Sequence, residues 1–223
     1  MKFEKIQVQR FSSQDWPGEV SDKIHTQVLN ILALQKSCTI FLTGGRTAKK
    51  VYQSWREINN FSSLKNINFF LGDERCVDVN HKDSNYKMVL DSLFKRGIPK
   101  ECYFSQLYDG DIESNQIIKK MSSQYPNSPD LLLLSLGEDG HIASLFPGTK
   151  EINKKTNIDL ILKKKGHNRL TITPKVIEAS KNKIVFVQGM KKIDKFNEIL
   201  SSNKNILAYP AHLLEDASWF LID

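Results

Sequence analysis

The sequence predicts an α/β protein with a Rossmann-like, mostly parallel sheet flanked by helices, and two observations carry this prediction. Short apolar runs with the period of a strand alternate along the chain with segments of helical period, the pattern that βα units produce. Residues 131–134, followed by Leu136, form a leucine run that is too short for an independent helix and typical of a strand buried on both faces. No linker or internal repeat divides the 223 residues, so we expect a single domain over residues 1–223.

The strands are predicted from alternating or β-rich apolar runs. Residues 3–11 alternate apolar and polar side chains, and residues 131–134 are the buried strand described above. The other strands of the sheet are predicted from short runs of β-branched, aromatic or aliphatic residues, at 38–42, 67–71, 102–104, 184–187 and 218–222. Two further runs, at 158–162 and 169–173, are joined by Lys-Lys-Lys-Gly-His-Asn and predict a hairpin.

The helices are predicted between these strands from apolar residues that recur every three or four positions. The first helix is expected at residues 20–34. Ser84 and Asn85 open a second amphipathic segment that continues to residue 94, and a serine in this place is suited to capping a helix. The remaining helices are expected at 48–58, 111–121, 174–179 and 189–200.

Charge favours a small anionic ligand over nucleic acid. Thirty-two Lys and Arg against 25 Asp and Glu give a formal net charge of +7, which attracts anions at long range. Many lysines are dispersed along apolar segments without the interleaved aromatic residues of a single-strand platform, at Lys150, Lys154, Lys155, 163–165, Lys181 and Lys183. We therefore predict a solvated basic surface and no nucleic-acid partner.

Cysteine usage and hydropathy predict a cytoplasmic protein without metal, cofactor or membrane partner. The three cysteines, Cys38, Cys76 and Cys102, are odd in number and lack Cys-x-x-Cys spacing, so neither a disulfide framework nor a zinc site is indicated. The five histidines show no ligand spacing. The amino-terminal residues lack the apolar segment of a signal peptide, and no run approaches the roughly 18 apolar residues of a membrane span.

The leucine-rich strand ends in an acid and an imidazole. Gly137 and Gly140 permit a tight turn and the close approach of a ligand, and Asp139 and His141 lie beside them. In an open α/β sheet the carboxyl ends of the strands form the binding crevice, so these side chains are candidates for catalysis. Taken alone, Asp139 also fits a capping residue and His141 an ordinary loop histidine.

A glycine-rich turn follows the strand at 38–42 and precedes a helix. The turn reads Gly44-Gly45-Arg46-Thr47 and is neither a Walker A motif nor Gly-x-Gly-x-x-Gly. Such a junction offers free backbone N–H groups and the positive end of the helix macrodipole, which together can hold a phosphate. A plain tight turn is the alternative.

Charged residues also follow the strand at 67–71 and occur in the second half of the chain. Asp73 and Arg75 come directly after that strand, where an ion pair beside a helix cap is the alternative to a functional role. Arg169 in the predicted hairpin and Lys192 in the Gly189-x-x-Lys192 turn each fit an ordinary surface cation on local grounds.

Taken together, these motifs resemble the 6-phosphogluconolactonases, which belong with the glucosamine-6-phosphate deaminases in one sugar-phosphate superfamily. Leu-Gly-Glu-Asp-Gly-His-Ile-Ala-Ser-Leu-Phe-Pro-Gly, residues 136–148, resembles the lactonase signature. Asp-Glu-Arg-x-Val followed by Ser-Asn resembles the second motif and departs from it at Asp78, where proline is common. The glycine turn resembles a Gly-Gly-Ser-Thr-Pro loop in which Arg46 replaces the serine and Ala48 the proline. The resemblance covers nearly the whole chain.

The resemblance implies hydrolysis of 6-phospho-D-glucono-1,5-lactone to 6-phospho-D-gluconate in the oxidative pentose phosphate pathway. It implies that His141 is the general base, oriented by Asp139, and that Arg75 stabilises the developing oxyanion with Asp73 and the Gly137 backbone nearby. It also implies that the substrate's phosphate is held by Gly44, Gly45, Arg46, Thr47, Arg169 and Lys192. The expected partner is a small phosphorylated sugar lactone, and we expect a monomer, with a dimer as the alternative.

Two other functions remain open at this point. A deaminase or isomerase of the same superfamily resembles this chain too, but those enzymes carry an Asn-Glu-Pro segment after the histidine, where this chain has Ser-Leu-Phe-Pro-Gly at 144–148. A silent sugar-phosphate binder would keep the glycine turn and the cations, but it would not need His141. A serine-nucleophile hydrolase is disfavoured because the Gly-x-Ser-x-Gly elbow is missing from the sequence.

Overall fold

The computed structural model describes residues 6–12, 14–110, 114–149 and 155–223. The strands in these ranges are β1 Gln7–Phe11, β2 Cys38–Leu42, β3 Lys65–Leu71, β4 Asp73–Arg75, β5 Glu101–Phe104, β6 Leu131–Ser135, β7 Ile158–Lys164, β8 His167–Ile172, β9 Lys183–Gln188 and β10 Ser218–Ile222. The α-helices are α1 Trp16–Leu34, α2 Arg46–Trp55, α3 Asn85–Ser92, α4 Ser114–Gln124, α5 Pro174–Ala179 and α6 Met190–Ser201. Short 3₁₀ helices lie at Phe61–Ser63 and Pro210–Leu213.

The predicted parallel sheet is confirmed. Seven strands pair in the order β1-β10-β9-β6-β2-β3-β5, and all of these pairs are parallel. The leucine-rich strand β6 occupies the middle of this order, and its four leucines are fully buried. A strand in the middle of a sheet that is covered by helices on both sides has no face toward water, which explains the continuous apolar run.

The topology brings the candidate loops to one edge. Strands β2 and β9 are the two neighbours of β6, and parallel strands end at the same side of a sheet. The glycine turn after β2, the histidine loop after β6 and the Gly189 turn after β9 therefore emerge side by side. Strand β3, the other neighbour of β2, continues through Gly72 into β4 and brings Asp73 and Arg75 to the same edge.

A second, antiparallel sheet lies beside this edge and was predicted only in part. It has the order β4-β8-β7, and the register between β4 and β8 sets Arg75 opposite Arg169. The hairpin β7–β8 is confirmed, but its strands reach further than predicted and leave Lys165 and Gly166 as the turn, with φ values of 50° and 88°. Two successive residues with positive φ form the tight turn that suits the strand twist, so the predicted six-residue connection was too long.

Several boundaries also differ from the predictions. Helix α2 begins at Arg46, directly after Gly45 with its φ of 102°, and ends at Trp55, three residues before the predicted end. Helix α1 begins four residues early, at Trp16, where Pro17 suits the first turn. The predicted strand residues 3–5, the predicted helix residues 111–113, and Lys150 and Lys154 lie outside the described residues.

Candidate active site

A cleft of about 370 Å³ opens at the shared carboxyl edge of the parallel strands. It collects nine of the residues that the sequence proposed for the site. These are Gly44, Gly45, Arg46, Asp73, Arg75, Gly137, His141, Arg169 and Lys192. Asp139 contacts His141 from beside the cleft, and Thr47 points elsewhere.

His141 and Asp139 form a hydrogen-bonded pair at the end of β6. The Asp139 Oδ1 atom contacts Nδ1 of the His141 ring and also accepts a bond from the His141 backbone N–H at 3.3 Å. The loop is closed by the Gly137 N–H, which donates to the His141 carbonyl at 2.8 Å. Because Nδ1 faces Asp139, Nε2 is the ring nitrogen left for a ligand. This is the arrangement of a base with its orienting carboxylate.

Burial sets the charge state of this pair. Burial lowers the pKa of His141 below its ordinary value of 6.5, against the opposing effects of Asp139 and Asp73, and Lys165 lowers it further. Burial by itself would raise the pKa of Asp139, but the bond to His141 and the ammonium of Lys165 outweigh it and hold that pKa below its usual range. At neutral pH the pair is therefore a neutral imidazole beside an ionised carboxylate, with Nδ1–H donating to Asp139.

Gly137 is required by the imidazole that lies against it. A Cβ atom at this position would overlap the Nδ1 and Cε1 atoms of His141. The ring also packs on Phe146, with ring centroids 4.6 Å apart. The imidazole therefore contacts both a glycine backbone and an aromatic ring, and the Gly137 N–H is already used in closing the loop.

Both carboxylate oxygens of Asp73 have polar partners. Its Oδ2 accepts a 2.7 Å bond from the buried Ser144 hydroxyl and lies 3.9 Å from Nη1 of Arg169, and its Oδ1 accepts from the Asn85 amide at 3.3 Å. A carboxylate with these partners is suited to holding other side chains in place. This geometry supports a positioning role for Asp73.

The two arginines of the small sheet line the cleft next to each other. Arg75 donates from Nη1 to the Asp83 carbonyl at 2.8 Å, and its buried Nε has no partner among the described residues. Arg169 is 5% exposed, donates from Nε to the Lys164 carbonyl at 3.2 Å, and places Cζ 5.6 Å from the Phe146 centroid. Burial and the nearby Arg75 lower the pKa of Arg169. Two neighbouring cations of this kind favour an anionic group between them.

The glycine turn packs tightly against the neighbouring loop. A Cβ atom at Gly44 would overlap the side-chain amide of Asn85, so the turn and the start of α3 approach each other closely. Gly45 has a φ of 102°, which favours glycine, and it directly precedes the first residue of α2. Thr47 is buried, its hydroxyl donates to the Gln188 side chain at 3.0 Å, and the residue does not line the cleft.

Lys192 completes the cationic lining from the first turn of α6. Burial lowers its pKa, as do Arg46 and Lys165, while Glu138 and Asp139 raise it. The cleft is therefore lined by five cations, Arg46, Arg75, Lys165, Arg169 and Lys192. Arg46 and Lys165 lie close enough to Lys192 to lower its pKa, and Arg75 has the same effect on Arg169.

Sequence reasoning missed three residues of the site. Lys165 was grouped with the dispersed surface lysines, yet it lines the cleft. Ser144 and Asn85 were read only as parts of motifs, yet they anchor Asp73. The position of Ser144 inside the lactonase-like signature was the available signal, whereas nothing in the sequence distinguishes Lys165 from Lys163 or Lys164.

Within residues 6–12, 14–110, 114–149 and 155–223, no three His, Cys, Asp or Glu side chains are grouped so that they could bind a metal ion. In the same ranges, no helix has the length and apolar character needed to cross a membrane.

An α/β fold with a His–Asp pair in a cationic cleft defines an enzyme for a small anionic substrate. Residues 12–221 match the family described as glucosamine-6-phosphate isomerases/6-phosphogluconolactonase. The chain belongs to this family. The match includes every residue proposed for the site.

Individual relatives agree with this assignment. A probable 6-phosphogluconolactonase from Dictyostelium discoideum is 33% identical over 196 residues, which cover 78% of each chain. A 6-phosphogluconolactonase from Synechocystis is 30% identical and covers 86% of this chain and 83% of its own. The crystal structure of a 6-phosphogluconolactonase from Shewanella baltica superposes with a TM-score of 0.86 over the whole of both chains; at 19% identity it supports the fold.

Proposed function

We propose that this protein hydrolyses 6-phospho-D-glucono-1,5-lactone to 6-phospho-D-gluconate, the lactonase step of the oxidative pentose phosphate pathway. The observation that carries the proposal is the His141–Asp139 pair in a cleft lined by five cationic side chains, next to Phe146. A neutral imidazole suits the activation of water, and the cations suit a phosphorylated substrate. We further propose a cytoplasmic monomer without nucleic-acid or membrane partners, with a dimer as the alternative.

The residues after His141 favour the lactonase over the deaminase. At the place where the deaminases carry a glutamate, this chain has Ser144, Leu145 and Phe146. Ser144 is buried and bonded to Asp73, Leu145 is fully buried, and Phe146 packs on the imidazole. The segment thus offers His141 an apolar wall in place of a second carboxylate, and the deaminase proton relay lacks its glutamate.

In the proposed reaction His141 first accepts a proton from water and later donates it to the leaving oxygen. Nε2 accepts a proton from water as the water oxygen forms a bond to the lactone carbonyl carbon, and the imidazolium is stabilised by Asp139. The negative charge that develops on the carbonyl oxygen is stabilised by Arg75, whose fully charged, forked guanidinium suits this role. When the ring C–O bond breaks, the imidazolium returns the proton to the departing ring oxygen, which leaves a carboxylic acid that ionises in water.

The phosphate is proposed to bind the glycine turn together with Arg169 and Lys192. Helix α2 begins at Arg46, and Gly44, Gly45 and Arg46 line the cleft, so the turn combines a helix amino terminus with a cation. Lys192 lies near enough to Arg46 for the two charges to interact. Arg169 lies beside Arg75, which is proposed to stabilise the carbonyl oxygen and not the phosphate. The Arg169 variant is therefore the stricter test of the phosphate assignment.

We expect Arg169→Met and Lys192→Met to weaken the use of phosphorylated lactone selectively. Each change removes a charged hydrogen-bond donor, which costs about 1.5–3 kcal/mol in kcat/KM. The measurement is kcat/KM on 6-phosphogluconolactone and on unphosphorylated gluconolactone, at low and high salt. Lys191→Met is the matched control, because Lys191 is exposed on the same helix turn and does not line the cleft. Equal losses on both lactones in both variants would mean that these cations do not bind the phosphate.

The pH dependence of kcat/KM should report the neutral form of His141. Because burial holds the pKa of His141 below 6.5, the base form persists as the pH falls, and activity should decline only below pH 6.5. Asp139 raises the pKa of His141, so Asp139→Asn should move this acid limb to lower pH. It should also reduce kcat, because an amide no longer fixes the Nδ1–H form. Rates are measured from pH 4 to 8 with the spontaneous hydrolysis subtracted; an upward shift of the limb in Asp139→Asn would refute the assignment.

The function itself is tested by adding the protein to freshly generated 6-phosphogluconolactone in a pH-stat. We expect acid release well above the spontaneous rate, in proportion to the protein concentration. Acid release at the spontaneous rate, with saturable binding of 6-phosphogluconate, would favour the silent binder instead.

A further inference from the structure

A lysine at the tip of the β7–β8 hairpin contacts the catalytic pair. Lys165 Nζ lies 3.0 Å from Oδ2 of Asp139, whereas Oδ1 of the same carboxylate contacts the His141 ring. The two carboxylate oxygens therefore have different partners, an ammonium from the hairpin and the imidazole of the same loop.

The hairpin backbone directs Lys165 toward the cleft. Lys165 and Gly166 form the two-residue turn, and the pairing of Lys164 with His167 closes it. The Lys164 carbonyl accepts the 3.2 Å bond from Arg169 Nε, which ties the turn to a buried residue of the cleft. The Lys165 Nζ also lies 5.4 Å from the centroid of Phe146, the ring that packs on His141.

We propose that Lys165 is a positioning residue that anchors Asp139 from the hairpin, so that the carboxylate presents Oδ1 to His141. The inference rests on the proposed function and adds a residue to its site. A carboxylate held at one oxygen can rotate about its terminal torsion, and a second, charge-assisted bond at the other oxygen restricts that rotation. The ammonium also competes with a protonated imidazole for the same carboxylate.

Charged groups from several elements lie around His141. The effect of Lys165 on the imidazole must therefore be distinguished from the effects of the others. The charged groups come from the His141 loop itself, from the start of α2, from β4, from the hairpin and from α6, and are Glu138, Asp139, Arg46, Asp73, Arg75, Lys165, Arg169 and Lys192. Within this set, Lys165 is bonded to the carboxylate that His141 uses and is about half exposed. It can therefore be replaced without opening the core.

The test compares Lys165→Met with Lys163→Met. Lys163 is exposed on the same hairpin, does not line the cleft, and its replacement removes the same unit of charge. Lys165→Arg keeps the charge, and Lys165→Gln serves as a second neutral variant should the methionine variant fail to fold. The pKa of His141 is measured by ¹⁵N NMR titration of the substrate-free protein, with the signal assigned through His141→Asn. The kinetic readouts are kcat, KM and the pH profile on 6-phosphogluconolactone.

We expect the pKa of His141 to rise in Lys165→Met and to stay unchanged in Lys163→Met. The sign follows because a positive charge near the imidazole has been removed, and it is opposite to the shift expected for Asp139→Asn. We also expect kcat to fall about two- to fivefold, since half-exposed ion pairs contribute little, and the difference from wild type to shrink at high salt. Lys165→Arg should restore both values.

Three results would overturn the inference. The first is an unchanged His141 pKa in Lys165→Met. The second is equal behaviour of Lys165→Met and Lys163→Met. The third is a raised KM for the phosphorylated lactone alone with kcat and the pKa unchanged, which would make Lys165 a phosphate ligand. Because the titration needs no turnover, a shifted pKa in a protein without lactonase activity would instead contradict the proposed function.

Discussion

Replacing His141 with asparagine should reduce kcat for 6-phosphogluconolactone by about 10²–10⁴, the usual contribution of a general base. Asparagine has a similar reach to the Nδ1 position but cannot take a proton from water at neutral pH. The fold should persist, because the ring lies at the cleft and its loop is closed by backbone bonds from Gly137 and Gly140. The measurement is steady-state kcat with the spontaneous rate subtracted.

The control for this variant is binding. The affinity for the product 6-phosphogluconate, measured by calorimetry, should be nearly unchanged, because the proposed phosphate contacts come from other side chains, which the substitution leaves in place. A His141→Asn enzyme that kept a third of the wild-type kcat would show that another group activates the water.

Gly137→Ala should cost about 10²-fold in kcat while leaving every proposed catalytic side chain chemically unchanged. The added methyl would overlap the Nδ1 and Cε1 atoms of His141, and the ring is further confined by its packing on Phe146. The imidazole must therefore rotate or shift, and a displacement of about 1 Å can cost 10²-fold in rate. The thermal midpoint of unfolding is measured alongside kcat, to separate this local effect from a loss of stability.

Gly72→Ala is the matched control for this steric prediction. Gly72 follows strand β3 at the same edge of the sheet, and a methyl there would meet the Leu42 carbonyl at 3.5 Å and Ile172 Cδ1 at 3.8 Å, which are ordinary contacts. It should retain most of the activity. If Gly137→Ala and Gly72→Ala had the same kcat, the position of the imidazole would not be the quantity that limits turnover.

Most of the parallel sheet could be predicted because strands that are buried on both faces consist of consecutive apolar residues. The leucines of β6 are apolar at consecutive positions because both faces of the central strand are covered. Once a parallel sheet was expected, the residues after β2, β6 and β9 had to meet at one edge, and so six of the proposed site residues, Gly44, Gly45, Arg46, Gly137, His141 and Lys192, share one cleft.

The remaining features depend on pairings between distant segments. Strand β4 has three residues and no apolar period, and it exists because β8 pairs with it. The contact between Lys165 and Asp139 needs the hairpin turn to be placed against the loop after β6, which local patterns do not encode. Thr47 matched the family motif, but its hydroxyl is drawn to Gln188 because the first turn of α2 lies beside the end of β9.

The most direct test of the account follows two substrates at once by ³¹P NMR. The protein is added to a mixture of freshly generated 6-phosphogluconolactone and glucosamine 6-phosphate, and a sample without protein gives the spontaneous rates. A lactonase should convert the lactone rapidly to 6-phosphogluconate while the glucosamine 6-phosphate signal stays constant. Conversion of glucosamine 6-phosphate with the lactone decaying only at its spontaneous rate would contradict the proposed function.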